Sequence, residues 1–331
     1  MRWTVEIAGG GVAAACCDHL LTQEGAAVHR TVAARAGVPA LMLSDPARAL
    51  LRDCLGQPSL FSGRPRITRR IVAWGGQEPA ALPHQAVMLG AGDLDFAPSG
   101  KAPATYPAQF TITTTRSGQD DQLIRFGDRI GETAPVQLLE ADDADACWVE
   151  AVEDGWLFMI PSGPVSGWLL AIGAPCPHLL DQSRHLAPRI ALDKDQTAQF
   201  DTTPRMLRTI ARDGLLACGS ASMAFDPICG DGTALAVRQA ILASAIAVAC
   251  HEGEDPEPLL GHYQAMMTAA MRRHLRLCSE FYASGGTGPW WRAQLEALAE
   301  GFAACSARLE RESPPRYALD GFRLVRRELA A

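Results

Sequence analysis

The chain has 331 residues, 37 acidic against 30 basic side chains for a net charge of −7, and 48 % hydrophobic residues. At roughly 150 residues per domain that length makes about two domains. The acidic balance excludes a nucleic-acid binder, which needs a basic surface for phosphate. The hydrophobic content excludes wholesale disorder. The longest apolar stretch, Ala240 to Cys250, is too short to span a bilayer and follows Arg238 and Gln239, so no membrane segment is expected.

The ten cysteines are spread from Cys16 to Cys305 with no CxxC pair. They read as small buried hydrophobes in a reducing compartment, with no metal site expected. The N-terminal run MRWTVEIAGGGVAAACC interrupts its apolar stretch with Glu6 and three glycines, unlike a secretory leader. The expected localisation is cytoplasmic.

In chain order, residues 3–8 alternate and carry β-branched side chains, which predicts a first strand. Gly9-Gly10-Gly11 follows, then an Ala-rich helix from Val12 to Leu21, Gly25 as its stop, and a second strand over 26–32. Residues 38–55 hold a short apolar run and a helix, with Ser44 or Asp45 as its cap and Pro46 in its first turn. Two strands joined at Gly75-Gly76 occupy 66–89, and 90–107 is a Gly/Pro-rich connection. Strands are predicted at 109–116, 121–126, 134–139, 146–152, 155–160 and 167–172, with one more over 208–218. A long apolar helix follows Gly219–Thr233. Leu259, Tyr263, Met266, Met267, Ala270, Met271, His274, Cys278 and Phe281 then repeat at helical spacing as one core face, up to Gly285-Gly286. Pro289 opens a last helix.

Two segments carry chemistry. Gly9-x-Gly11-x-x-Ala14 lies between a strand and a helix. There Gly9 permits a tight turn, Gly11 lets a pyrophosphate approach the backbone, and Ala14 allows close helix–strand packing. Gly10, Val12 and Ala13 complete this turn. About 210 residues later, GSASMAFDPICGDGT (219–233) leads into the apolar helix. Gly230, Asp231, Gly232 and Thr233 there would offer backbone N–H groups, Pro227 would stiffen the loop, and Asp226 would orient or cap it.

Together these segments resemble the FAD-binding framework of the para-hydroxybenzoate-hydroxylase-like flavoproteins. Trp156-x-Phe158-x-Ile160-Pro161 is similar to the W-x-W-x-I-P motif of the flavin-dependent halogenases, with Phe158 for the second Trp. FGDRIGETAPVQL (126–138) and MRRHLRLCSEFYASGGTGPWW (271–291) resemble flavoprotein maturases of quinone-cofactor amine oxidases. The resemblance implies an α/β, three-layer Rossmann-like FAD-binding fold with a β-sheet substrate domain and C-terminal helices. It divides the chain into 1–63 with 205–255 for FAD, 64–204 for substrate, and a helical segment over 256–331. It implies FAD on Gly9–Ala14, Gly219, Ser220, Asp226, Pro227 and Gly230–Thr233, with Arg35 reaching the pyrophosphate.

The departures concern carboxylates. The family's ribose-binding Glu or Asp falls at Val32. The Asp of its Gly-Asp pair is Ser220, and its mid-chain Asp-Gly falls near Thr113–Thr115. Each lost charge-assisted hydrogen bond weakens binding by about 1.5–3 kcal/mol, so FAD is expected to be held loosely. The halogenase reaction needs a lysine between flavin and substrate, and neither Lys101 nor Lys194 lies in that context, which disfavours halogenation. The expected activity is that of an oxidoreductase or monooxygenase acting on an aromatic small molecule or on a Trp of a partner protein, as in cofactor maturation. Electrons would come from NAD(P)H bound transiently or from a separate flavin reductase. The alternatives are a scaffold that keeps the fold without the cofactor, and a nicotinamide-dependent reductase using the first turn alone. His84 is the candidate general base, with a hydrogen-bonded structural role as its plainer reading. Trp148, Trp156 and Trp168 read as sheet core.

Overall fold

A computed structural model describes residues 3–31, 39–99, 108–116, 122–193, 196–312 and 316–327. The chain opens with strand Thr4–Ala8, helix α1 (Gly11–Gln23) and strand Ala27–Thr31. α1 starts at a glycine N-cap and is rich in alanine, the best helix former. Strand Thr4–Ala8 pairs in parallel with Ala27–Thr31 on one side and Phe110–Thr113 on the other. Leu215–Ala217 adds to Phe110–Thr113, also in parallel, and its hairpin partner Ala211–Arg212 ends the five-stranded sheet. The chain therefore leaves the central strand first to one side and later to the other. Such a switch point opens a crevice at the carboxyl ends of the strands.

The second sheet has nine strands. Its path runs Ile190–Leu192, Ile130–Leu138, Ser166–Ile172, Gly155–Pro161, Ala146–Val152, Arg66–Ala73, Ala80–Gly90 and Ala40–Ser44, with Ala198–Asp201 also on Ile130–Leu138. All pairings are antiparallel except Arg66–Ala73 with Ala146–Val152. Helix α2 (Asp45–Leu55) follows the edge strand with Ser44 at its N-cap, Pro46 in the first turn, and Gly56 at φ 62° closing its C-terminus. A short α3 (Cys176–Gln182) packs on this sheet. Met223–Ala224, Arg205–Leu207 and Leu123–Arg125 form a separate three-stranded sheet.

Three long helices complete the chain: α4 (Gly232–His251), α5 (Pro256–Gly285) and α6 (Pro289–Leu309). α4 packs against α1 and α2. It runs without interruption through Arg238 and Gln239 and is long and apolar enough to cross a membrane, yet 72 % of its apolar window is buried inside the fold. Asp255 caps α5 by accepting the Glu257 N–H at 3.1 Å. Gly285 and Gly286 leave room for the buried Trp291 indole, whose ring atoms lie 2.3 Å from where each Cβ would sit.

Some expectations need correction. The core face of α5 is Leu259, Tyr263, Met267, Met271, His274, Cys278 and Tyr282, all buried, whereas Met266 and Phe281 are 40 % and 46 % exposed. The buried face also takes in His262, Thr268 and Leu275, so it is centred to one side of the expected stripe and leaves Met266 and Phe281 outside it. The region 208–218 is a hairpin turning at Gly214 rather than one strand. The segment after α6 is not all helical, because Tyr317–Asp320 and Arg323–Arg326 form a hairpin.

Candidate functional site

Thr31, Ala8, Thr113 and Ala217 stand side by side in register at the carboxyl edge of the parallel sheet. The residues just beyond them, Gly9, Thr114 and Cys218, begin three loops at the crevice. Gly9 has φ 126°, and a Cβ on it would lie 2.5 and 2.6 Å from the Thr115 and Thr114 Oγ1 atoms. Only glycine permits that backbone and that approach. Gly11 follows at φ 78° as the first residue of α1.

The second Gly-rich segment meets the first directly. Gly219, at φ 60°, approaches α1 so closely that a Cβ there would be 2.8 Å from Ala13 Cβ. Ser220 Oγ donates to Thr114 O at 3.2 Å, Thr115 Oγ1 accepts from Gly10 N at 3.2 Å, and Thr114 Oγ1 donates to Gly10 O at 3.4 Å. Thr114 and Thr115 thus tie the two turns together. From α4, the buried Gln239 Oε1 accepts Gly219 N at 2.5 Å and Ser222 Oγ at 2.9 Å.

Below the loop lies a buried polar chain. Asp226 Oδ1 accepts Ile228 N at 2.9 Å, and its Oδ2 accepts Tyr282 OH at 2.7 Å. Trp156 Nε1 donates to the same Tyr282 hydroxyl at 3.2 Å. Arg129, fully buried, brings Nε to 3.5 Å from Asp226 Oδ2, lies 5.0 Å over the Tyr282 ring, and donates from Nη1 to Phe126 O at 3.2 Å. Burial pushes the Asp226 carboxyl above the usual carboxylate range, against the pull of Arg129. His274 Nε2 accepts Asp226 N at 2.8 Å, and the imidazole stacks on Phe225 with centroids 3.9 Å apart. Burial, aided by Arg129, lowers His274 to a pKa of about 3. Arg129, His274 and Tyr282 were not singled out as site residues, although Arg129 lies in the 126–138 run and the others in 271–291. Their chemistry comes from being buried together, which spacing does not reveal.

A FAD fits this arrangement at its backbone. The first turn of α1 has no side-chain cap, which leaves N–H groups for an external acceptor at the positive end of a helix. α4 likewise has no side-chain cap, and Cβ atoms at Gly230 and Gly232 would meet nothing within 4 Å. Asp231 is exposed and pairs with Arg238 at 3.5 Å, Thr233 is half-buried, and Pro227 begins the turn that Asp226 caps. The side-chain donors are sparser, because Ser220 is already bound to Thr114 O. Val32, Arg35, Lys101 and Lys194 lie outside the described residues.

His84 lies on strand Ala80–Gly90, with Arg70 Nη2 at 3.4 Å from its Nε2. Burial and then the Arg70 charge lower its pKa. Trp148 and Trp156 are buried in the large sheet and Trp168 is half-buried. Two cavities, one under the C-terminal hairpin and a polar groove of about 560 Å³ beside Gly75-Gly76 and Gly285-Gly286, lie away from both Gly-rich turns.

Comparison with solved structures gives the class of fold. The crystal structure of CmlS, a flavin-dependent halogenase, matches with TM-score 0.75 at 16 % identity, over 94 % of this chain and 72 % of that one. The peptidyl tryptophan dihydroxylase QhpG, essential for tryptophylquinone cofactor biogenesis, matches with TM-score 0.68 at 17 % identity, over 89 % and 79 %. The flavin-dependent brominase Bmp2 matches with TM-score 0.69 at 14 % identity, over 94 % and 98 %. No protein-family model and no curated protein matches the chain. The fold is that of the FAD-dependent halogenases and hydroxylases. The tryptophan dihydroxylase and the halogenases share this one fold with the chain.

Proposed function

We propose that this chain is a FAD-dependent oxidoreductase that uses dioxygen to oxidise or hydroxylate an aromatic group. The observation that carries the reading is the contact of the two Gly-rich turns, Gly219 on Ala13 and Ser220 on Thr114, at the switch point of the parallel sheet. Gly9–Ala14 would receive the pyrophosphate, Gly219 and Ser220 the ribityl chain, and Pro227–Thr233 the ring edge. The flavin supplies the oxygen chemistry when bound, so the protein needs to position substrate and exclude water. The likeness to QhpG supports a tryptophan side chain of a partner protein as the substrate. A separate reductase would deliver electrons.

A second reading, a scaffold that has lost the cofactor, is favoured by one observation. The Gly10 N–H and the Ser220 hydroxyl, both facing the crevice edge, already have protein partners. Absorbance near 450 nm and extraction of FAD from the purified chain decide between them. Flavin present, or taken up in one-to-one stoichiometry, supports the oxidoreductase. A colourless protein that takes up no FAD overturns it.

A further inference from the structure

Among the described residues, three potential metal-ligating side chains meet under the loop. Cys229, His274 and Cys278 hold their ligand atoms within 4.8 Å of one another. His274 and Cys278 lie one turn apart on α5, and Cys229 ends the short turn that Asp226 caps. A soft cation would need a free nitrogen lone pair from His274. A neutral imidazole has one, and here Nε2 spends it on the Asp226 N–H at 2.8 Å while Phe225 covers a ring face. Cys278 Sγ also lies 3.3 Å from that nitrogen, whereas Cys229 Sγ has Cys278 Sγ as its near neighbour. The two sulfurs lie 3.8 Å apart, within reach of a small movement of the Cys229 turn, which Gly230 follows at φ 61° with open space beside it.

The other close thiol pairs are Cys16 with Cys54 and Cys17 with Cys218, and all four residues are buried. Cys229 is half-buried where Cys278 is buried, so the Cys229–Cys278 pair joins the less sheltered thiol to a fully sheltered one. That is the arrangement of an attacking and a resolving thiol. We propose that Cys229 and Cys278 form an oxidisable dithiol whose reagent is hydrogen peroxide and whose product is a disulfide between the loop and α5.

The chemistry balances in two steps. The Cys229 sulfur attacks one peroxide oxygen, the O–O bond breaks, and a sulfenic acid and one water result. The Cys278 sulfur then attacks the sulfenic sulfur. The S–S bond forms, the S–O bond breaks, and the departing hydroxide takes the Cys278 proton as a second water. Two thiols are oxidised by two electrons and one peroxide is reduced. The reaction needs no flavin, so the inference stands apart from the cofactor reading. Its consequence reaches that loop, because the disulfide would pin the turn before Gly230 to the helix behind it.

The test treats the full chain with a few equivalents of hydrogen peroxide, alkylates it in denaturant and maps it by mass spectrometry. The expected result is a loss of about two mass units, two fewer alkylated cysteines, and a Cys229–Cys278 cross-link that dithiothreitol reverses. Cys229→Ser, a change at a half-buried position, abolishes the cross-link, and Cys278→Ala does the same if it folds. A link that maps to another pair, or Cys229 oxidised without any link, overturns the proposal. So does protection of both thiols by one equivalent of zinc before peroxide is added, which makes the cluster a metal centre.

Discussion

Gly219 and Ala13 touch across 206 positions of sequence, with the place of a Gly219 Cβ only 2.8 Å from Ala13 Cβ. Gly219 also holds φ 60°, a backbone that L side chains rarely adopt. Gly219→Ala therefore strains the backbone and overpacks the helix at once, and costs about 2–4 kcal/mol. Urea denaturation measures the loss. A variant as stable as the parent would show that the two turns do not press together.

Under the proposed function, Ser220 takes the place of the carboxylate that the family resemblance puts on the flavin. Ser220→Asp gives up the bond to Thr114 O but adds a charge-assisted acceptor facing the crevice. The expected result is FAD binding tightened about tenfold, read by fluorescence quenching on titration. An unchanged affinity would mean that position 220 does not face the ribityl chain.

Arg129 and Asp226 are each fully buried, and each is the counter-charge of the other. Arg129→Met leaves Asp226 without it and costs about 3–5 kcal/mol. Tyr282→Phe removes one donor to Asp226 and the acceptor of Trp156 N–H, a smaller loss of about 1–3 kcal/mol. Thermal and chemical unfolding of the two variants should rank them in that order.

His274 governs an acid limb of stability. Folding lowers its pKa from 6.5 to about 3, so below pH 6.5 the unfolded chain takes a proton that the folded chain refuses. Its contribution is whole above pH 6.5 and is lost progressively as pH falls toward 3, at up to ~1.4 kcal/mol per pH unit. His262 and His84 shift in the same direction, burial being the main cause for both. Unfolding free energies between pH 7 and pH 4 should fall steeply in the parent and less steeply in His274→Gln.

The parts of the fold written locally were legible in the sequence. Gly9-x-Gly11-x-x-Ala14 announced a strand–turn–helix, and Pro46 and Pro289 marked helix starts that the structure bears out. The short strands Ile190–Leu192 and Ala198–Asp201 escaped notice, because they are specified by pairing with Ile130–Leu138 rather than by their own pattern. The Arg129–Asp226–Tyr282–Trp156 chain escaped for a related reason. Its members come from four separate segments, and their significance lies in shared burial. Thr113–Thr115 is the instructive middle case. Its sequence recorded only a missing Asp-Gly, while the structure gives two of its hydroxyls contacts with Gly10 and one of its carbonyls a contact with Ser220.

The parallel sheet also sets an order of events during synthesis. Leu215–Ala217 must dock on Phe110–Thr113, and α4 must cover α1, before the first sheet has a closed interior. The nascent chain therefore carries the face of α1 that α4 covers open until the α4 segment has been made. Long-range closure of this kind is slow and prone to aggregation. Production of this protein should respond strongly to translation speed and to chaperones that shelter early segments.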